Sequence, residues 1–501
     1  MNNVPAFFRS FIIYAVCVVL AIWLGFLLAG PLTYSSLAIY GFLAAVLIFP
    51  LLLRWHFPLL LLSWNMAAFV FFLPGRPSLC LTMIALSLGI SVFHRMLSRE
   101  SRFIQVPQLV LPLLCLVAVV VVTAKLTGLG LRTFGSDVYG GKKYVYLLGA
   151  ILGYFALSAH RIPPERKNLY IALFFLGGIS AFIGDLLLFM PHSLYFIYWF
   201  FQPNEYFFTT GGLGEEAARF GGAWTTSFAV LSYMLARYGI RGIFLSGKPL
   251  RWITLVLISI YGLLGGFRGF VLLFALVFAL QFFLEGLHRT KLLPVLLFAG
   301  TLTAVALVPL APHLPHTFQR ALSFLPLKVD PMDRQDAQGS LDWRIQMWKG
   351  LLPQVPQYLL LGKGYAIAPS DYEFAMGPDI STHSVFAENQ GLALAGDYHS
   401  GPLSVILPFG IWGGIAFVWF LVAAIRVLHA NYRYGDPSLR MINTFLLAIF
   451  VARVIYFFLM VGALSSDMLT FCGLIGLSVS LNGGVCRPSG TVPPRPQTNS
   501  R

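Results

Sequence analysis

The chain has 501 residues, of which 58% are hydrophobic and 11% are charged, and its mean hydropathy is +0.78. Soluble domains carry about 25% charged residues, so this composition excludes an ordinary soluble protein and indicates a polytopic membrane protein. The net charge of +15 is expected to come from basic residues that set the membrane topology and that contact anionic lipid headgroups. Nucleic acid is not an expected partner, because no basic run is interleaved with aromatic residues on a polar segment.

Apolar runs long enough to span a bilayer recur along the chain and predict an all-α polytopic membrane protein with about 12–14 transmembrane helices. The runs fall at residues 11–29, 36–53, 58–74, 78–97, 107–125, 143–159, 169–188, 221–238, 252–267, 269–285, 292–311, 402–425, 441–462 and 465–483. Residues 1–311 are therefore predicted to hold about 11 helices with short loops. A large, partly helical loop is expected at 312–401, C-terminal helices at 402–483, and a disordered cytoplasmic tail at 484–501.

Basic residues in the connections predict the orientation, because Lys and Arg concentrate on the cytoplasmic side. The expected inner connections carry Arg95, Arg99, Arg102, Arg161, Arg166, Lys167, Arg237, Arg241, Lys248, Arg251, Arg289, Lys291, Arg426, Arg433 and Arg440. This alternation predicts that both termini are cytoplasmic. Residues 189–220, the hairpin around Arg268 and the loop 312–401 then share the outer face.

Arg268 lies inside the hydrophobic sequence Y-G-L-L-G-G-F-R-G-F-V-L-L. A charge at the centre of a spanning helix costs about 2.5–3.5 kcal/mol on insertion scales, so its position calls for an explanation. One interpretation is a snorkelling arginine that caps a hairpin. The other is a guanidinium at headgroup level that binds phosphate through two parallel hydrogen bonds.

Two further candidates lie in the polar segment that begins L-D-W-R-I-Q-M-W-K-G and ends A-G-D-Y-H-S-G-P. Arg344 falls on a predicted amphipathic helix, where it either binds an anion or faces solvent and headgroups. His399 comes three residues before Pro402, which opens an apolar helix and fixes the depth of the imidazole at a membrane surface. It is either a general base or a structural histidine, and Asp397 is a candidate to orient it.

Arg219, in E-E-A-A-R-F-G-G-A-W, also precedes an apolar helix and is a candidate third cation. Arg453 and Asp467 fall in or beside the last two spans and are candidates to pair with each other. The sequence has no Walker A loop, no H-E-x-x-H, no G-x-S-x-G and no metal-binding carboxylate cluster. These observations favour group transfer without metal or cofactor, in which cations stabilise a leaving group and a base deprotonates the acceptor.

The motifs together resemble the O-antigen ligase and O-antigen polymerase superfamily of bacterial inner membranes. G-G-F-R-G-F is similar to the family's S-R-G motif, with Phe267 where serine is usual. D-W-R-I-Q-M-W-K-G-L-L before L-L-L-G-K-G-Y is similar to an R-x-x-x-W segment followed by a G-x-G turn. D-Y-H-S-G-P resembles the histidine that closes the family's long periplasmic loop, and R-F-G-G-A-W resembles an R-x-x-G segment without its usual Pro-Asn.

The resemblance implies transfer of a glycan from undecaprenyl diphosphate to an acceptor hydroxyl at the periplasmic face, without metal. Carried over by motif, Arg268, Arg344 and, less closely, Arg219 bind the diphosphate, and His399 activates the acceptor, which is a glycan or a lipid core. Polymerisation, ligation and protein glycosylation share these motifs. The alternatives from other classes are a transporter or flippase of the same lipid-linked glycan, and a non-catalytic assembly subunit.

Overall fold

The computed structural model describes residues 34–97, 103–131, 140–186, 189–202, 220–367 and 396–488, together with parts of 14–26. Within these residues the regular structure is helical, there is no strand, and an isolated β-bridge joins Phe69 and Ser78. From residue 34 onward, the described α-helices are α1 (Tyr34–Ser63), α2 (Leu79–Leu97), α3 (Pro107–Thr127), α4 (Lys142–Ser158), α5 (Lys167–Leu176), α6 (Ala181–Leu186), α7 (Gly221–Phe244), α8 (Pro249–Leu263), α9 (Arg268–Leu284), α10 (Leu292–Leu310), α11 (His316–Leu322), α12 (Pro331–Leu351), α13 (Val355–Tyr358), α14 (Gly401–Tyr434), α15 (Arg440–Leu459) and α16 (Leu464–Asn482).

The predicted class, an all-α polytopic membrane protein, is confirmed. Seven helical segments of the described residues are long and apolar enough to cross a membrane. They are Leu79–Leu97, Pro107–Thr127, Pro164–Leu186, Leu292–His313, Gly401–Tyr434, Pro437–Leu459 and Leu464–Asn482. Shorter apolar helices lie at Leu52–Ser63, Pro249–Leu263 and Arg268–Leu284. The total of about 12–14 spans stays a prediction.

The predicted spans 36–53 and 58–74 are wrong in their boundaries. A single helix, α1, covers the first and part of the second, and it ends at Ser63. Residues 64–78 form turns and the Phe69–Ser78 bridge, and the Phe69 N–H donates to the Phe200 carbonyl at 2.8 Å. The run is apolar, but L-P-G-R-P at its end carries the proline and glycine that punctuate helices.

The C-terminal helices form the centre of the bundle. α16 packs along α4, α14 packs against α3 and α15, and α9 packs against α15. Helix α10 is far less buried than these central helices, because Leu292 is its one buried residue. Leu293 and Leu296 also pack against the core, but most of its other apolar side chains are exposed, where the hydrocarbon of a bilayer would cover them.

Helix α14 is broken at Gly410, whose φ of 63° and ψ of −163° are not helical. The break separates the Ile411 N–H from its normal helical acceptor, the Leu407 carbonyl. Ile411 instead donates to the Leu359 carbonyl at 2.6 Å, and the Leu407 carbonyl accepts from the Lys363 N–H at 2.7 Å. The turn at residues 359–364 therefore supplies the hydrogen bonds that the broken helix lacks.

We expect Gly362→Ala to lower the thermal unfolding midpoint of the detergent-solubilised protein. Gly362 has a φ of 73°, and a Cβ there would overlap the carbonyl of Pro408 in α14. Holding a non-glycine residue in this conformation costs about 1–3 kcal/mol before the overlap is counted. Gly339→Ala is the matched control, since no heavy atom lies within 4 Å of a Cβ on this α12 glycine. Equal midpoints for the two variants would contradict the docking of the turn.

Candidate functional site

Two helix starts lie side by side on the C-terminal end of α15. Gly269, in the first turn of α9, packs so closely on the hydroxyl of Tyr456 that a Cβ would overlap it. Gly401, the first residue of α14, packs equally closely on the carbonyl of Phe457. Because Tyr456 and Phe457 are consecutive, the starts of α9 and α14 meet at one end of the bundle, and each carries a predicted site residue.

Arg268 is the first residue of α9 and is half-buried. Gly266 just before it has a φ of 67°, and a Cβ there would lie 3.8 Å from Cδ of Arg320. Arg320 belongs to α11, so a second arginine lies at the same hairpin. A cation at a helix N-terminus opposes the helix dipole, whereas an anion bound there is stabilised by both the dipole and the guanidinium.

His399 is held in an unusual backbone conformation just before α14. Its φ is 44°, in the left-handed region that few residues other than glycine adopt. The preceding carbonyl, that of Tyr398, accepts a hydrogen bond from the Trp348 indole Nε1 at 2.8 Å. The imidazole lies edge-on against Trp343, with 5.3 Å between ring centroids. Helix α12 thus fixes both the backbone and the ring of this segment.

Burial is the main influence on His399 and lowers its pKa below the usual value near 6.5. The charge of Asp397 raises this pKa, while the charges of Arg344 and Lys143 lower it. Within the described residues Asp397 makes no hydrogen bond to the imidazole, so it acts on His399 through its charge. The net effect keeps the imidazole neutral at pH 7, which is the form that accepts a proton.

Arg344 lies on α12 and is half-buried. Its guanidinium carbon is 5.9 Å from the ring centroid of Trp343, the residue that also packs against His399. The charge of Arg344 also acts on the hydroxyl of Tyr456, beside the start of α9. The side chain is therefore near both the imidazole and the Arg268 hairpin.

The apolar face of α12 anchors this helix to the bundle. Met347 and Leu351 are buried together with Tyr398, which precedes α14, and with Leu403 and Leu407 near the start of α14. These contacts hold Arg344 over the helix start that carries the predicted histidine.

Arg219 lies outside the described residues. Its neighbour Phe220 is described, and the Phe220 carbonyl would be 3.2 Å from a Cβ on Gly265, so α7 begins at the Arg268 hairpin. Sequence reasoning missed Lys143, Arg320 and Tyr456, because nothing in their local patterns distinguishes them from ordinary helix-end or interfacial residues. In the part of the chain that the structure describes, no three His, Cys, Asp or Glu side chains gather as metal ligands.

A family model described as O-antigen ligase matches residues 253–418. The predicted resemblance to the O-antigen ligase and polymerase superfamily is confirmed. The matched region runs from α8 to beyond the break in α14, and it contains Arg268, Arg344 and His399. It indicates a multi-pass membrane enzyme of the glycosyltransferase type, acting in O-antigen ligase or polymerase chemistry. No curated protein matches the chain.

We expect Trp348→Phe to destabilise the protein, because it removes the indole N–H that satisfies the buried Tyr398 carbonyl. Leaving a buried acceptor unsatisfied costs about 1–3 kcal/mol. The measurement is the thermal unfolding midpoint in detergent. Trp412→Phe on α14 is the control, since Trp412 is 58% exposed and should tolerate the change. If both variants melt alike, the bond to Tyr398 does not hold this segment.

Proposed function

We propose that this protein is a membrane glycosyltransferase that moves a glycan from undecaprenyl diphosphate to an acceptor sugar hydroxyl at the periplasmic face of a bacterial inner membrane. The acceptor is a growing glycan or a lipid core, as in polymerases and ligases. The observation that supports this most strongly is the meeting of the α9 and α14 starts on Tyr456 and Phe457. That contact brings a guanidinium and a neutral imidazole to one end of the bundle.

In the proposed reaction His399 takes the proton of the acceptor hydroxyl. The acceptor oxygen forms a bond to the anomeric carbon of the donor, and the bond from that carbon to the diphosphate oxygen breaks. The electron pair leaves with the lipid diphosphate, and the proton on the imidazolium passes to water. A single displacement of this kind inverts the configuration at the anomeric carbon.

The arginines act on the leaving group. Negative charge grows on the diphosphate as the glycosidic bond breaks, and fixed cations in a site poor in water stabilise that charge strongly. Arg268 and Arg344 are the proposed diphosphate ligands, with Arg219 as a third. Arginine suits this role because its planar donors match phosphate oxygens in pairs and it stays charged. Arg320, at the same hairpin, adds to the positive field.

The direct test is glycan transfer in proteoliposomes from a lipid-diphosphate-linked oligosaccharide. His399→Ala, Arg268→Ala and Arg344→Ala should each lower the rate at least about 100-fold, the lower range for losing a general base or a charge-stabilising donor. Arg426→Ala is the control, because this exposed arginine of α14 lies outside the site. Normal transfer by folded His399→Ala protein would exclude the general base. Lipid movement between leaflets without product would favour the transporter.

The pH dependence of the rate should identify His399 through its two flanking charges. The imidazole acts as a base, so the rate should fall as the pH drops through its pKa. Asp397→Asn removes the charge that raises this pKa and should move the acid limb to lower pH. Lys143→Gln removes a charge that lowers it and should move the limb to higher pH. If the acid limb of the rate profile shifts in the same direction in both variants, or does not shift, a group other than His399 controls it.

A further inference from the structure

A second feature of the bundle is a cavity of about 220 Å³ between α5, α7, α15, α16 and the residues that follow α1. One of its lining residues is Trp224, whose ring packs against Phe267 next to the Arg268 hairpin, at 6.3 Å between centroids. It extends along α7 to Ser232, which is two turns and roughly 12 Å further along the helix axis. The cavity therefore starts beside the proposed site and leads away from it into the bundle.

Arg453 of α15 lines this cavity. Its guanidinium carbon lies 5.0 Å from the ring centroid of Phe228, and its Nε is buried without a hydrogen-bond partner among the described residues. The pairing predicted with Asp467 is not observed, because no ion pair within 4 Å joins these two described side chains. An Oδ of Asp467 instead accepts from the Ala463 N–H at 2.9 Å.

An arginine in this position is costly unless something else uses its donors. Burying a charged or polar group without hydrogen bonds is strongly unfavourable. Ionisable residues within membrane helices usually face a cavity, and they mark the path or site of a ligand. The charge of Asp467 acts on Arg453 at longer range, but it does not occupy the guanidinium donors. The open donors favour an oxyanion in the cavity.

The other lining groups narrow the class of ligand. Aromatic rings of Trp64, Phe174, Trp224 and Phe228 surround the space, and hydroxyls of Thr225, Ser232 and Thr470 lie among them. A pyranose matches this combination, since its C–H faces pack on aromatic rings and its hydroxyls bond to polar side chains. An isoprenoid chain would give the Arg453 guanidinium neither a hydrogen-bond acceptor nor a negative charge. The volume is below the ~300–1,000 Å³ of typical small-molecule pockets, which suits one ring.

We propose that this cavity is a subsite for one acidic sugar of the transferred glycan or its acceptor, with Arg453 binding the carboxylate or phosphate that the sugar carries. The proposal rests on the proposed glycan transfer and adds the class of sugar. The hydroxyl and aromatic lining provides the fit to the ring, and the guanidinium selects the charged sugar over a neutral one.

The test is ligand-detected NMR binding with the intact protein in nanodiscs, using free glucuronate, glucose and inorganic phosphate as probes. We expect glucuronate to bind at least about tenfold more tightly than glucose. Arg453→Gln should abolish that preference, while Arg426→Gln, which changes an exposed arginine, should keep it. Thr225→Phe, which fills the cavity from a half-buried position and leaves Arg453 in place, should weaken glucuronate binding.

Equal binding of glucuronate and glucose, or binding that survives both cavity variants, would overturn the subsite. If phosphate binds as tightly as glucuronate, the cavity is not selective for a sugar. It would then be a simple oxyanion site, which a lipid headgroup phosphate could occupy equally well. The assay needs neither donor lipid nor turnover. Failure here with transfer intact therefore counts against the subsite alone, whereas selective binding without any transfer counts against the proposed reaction.

Discussion

The arrangement of the site depends on a backbone requirement of membrane helices. A helix broken inside a bilayer must find other partners for its freed N–H and C=O groups, because water is not available there. In α14 the break at Gly410 is satisfied by the turn 359–364, which exchanges hydrogen bonds with Leu407, Pro408 and Ile411. These hydrogen bonds anchor the polar segment that contains α12 and α13 to the bundle.

These hydrogen bonds determine where the residues of the proposed site lie. The turn directly follows α12 and α13, so docking it beside Gly410 places α12 over the start of α14. From there Trp348 holds the carbonyl before His399, and Arg344 lies near the imidazole. The α15 residues Tyr456 and Phe457 complete the arrangement by joining the starts of α14 and α9. Backbone hydrogen bonds and close glycine contacts thus position charges that come from distant parts of the sequence.

The electrostatics of the site follow from this packing. Several cations lie at one end of the bundle, and Asp397 lies close enough for its charge to act on the imidazole of His399. Burial and the neighbouring positive charges keep that imidazole neutral, which suits a base, and the positive field suits an anionic leaving group. The same cations therefore serve two roles in the proposed reaction.

Much of this could be predicted from the sequence, because apolar runs identify helices and a charge within them is conspicuous. Arg268 stood out for that reason. Arg344 was predicted from an amphipathic helix, and His399 from its place just before the helix that Pro402 opens. The boundary near Ser63 could not be predicted from apolarity alone, since a buried non-helical segment is as apolar as a helix. Lys143 and Tyr456 are ordinary in sequence, and they matter through tertiary contacts that no local pattern contains. The separation of Arg453 from Asp467 is likewise a matter of packing.

We infer that the diphosphate of a lipid-linked donor lies between α9 and α12. A cryo-electron microscopy map of the protein with a non-transferable lipid-diphosphate glycan would test it most directly. We predict density for the diphosphate between the guanidinium groups of Arg268 and Arg344, with the anomeric carbon facing His399. Diphosphate density elsewhere on the protein, with both side chains well defined and no density between them, would contradict this placement.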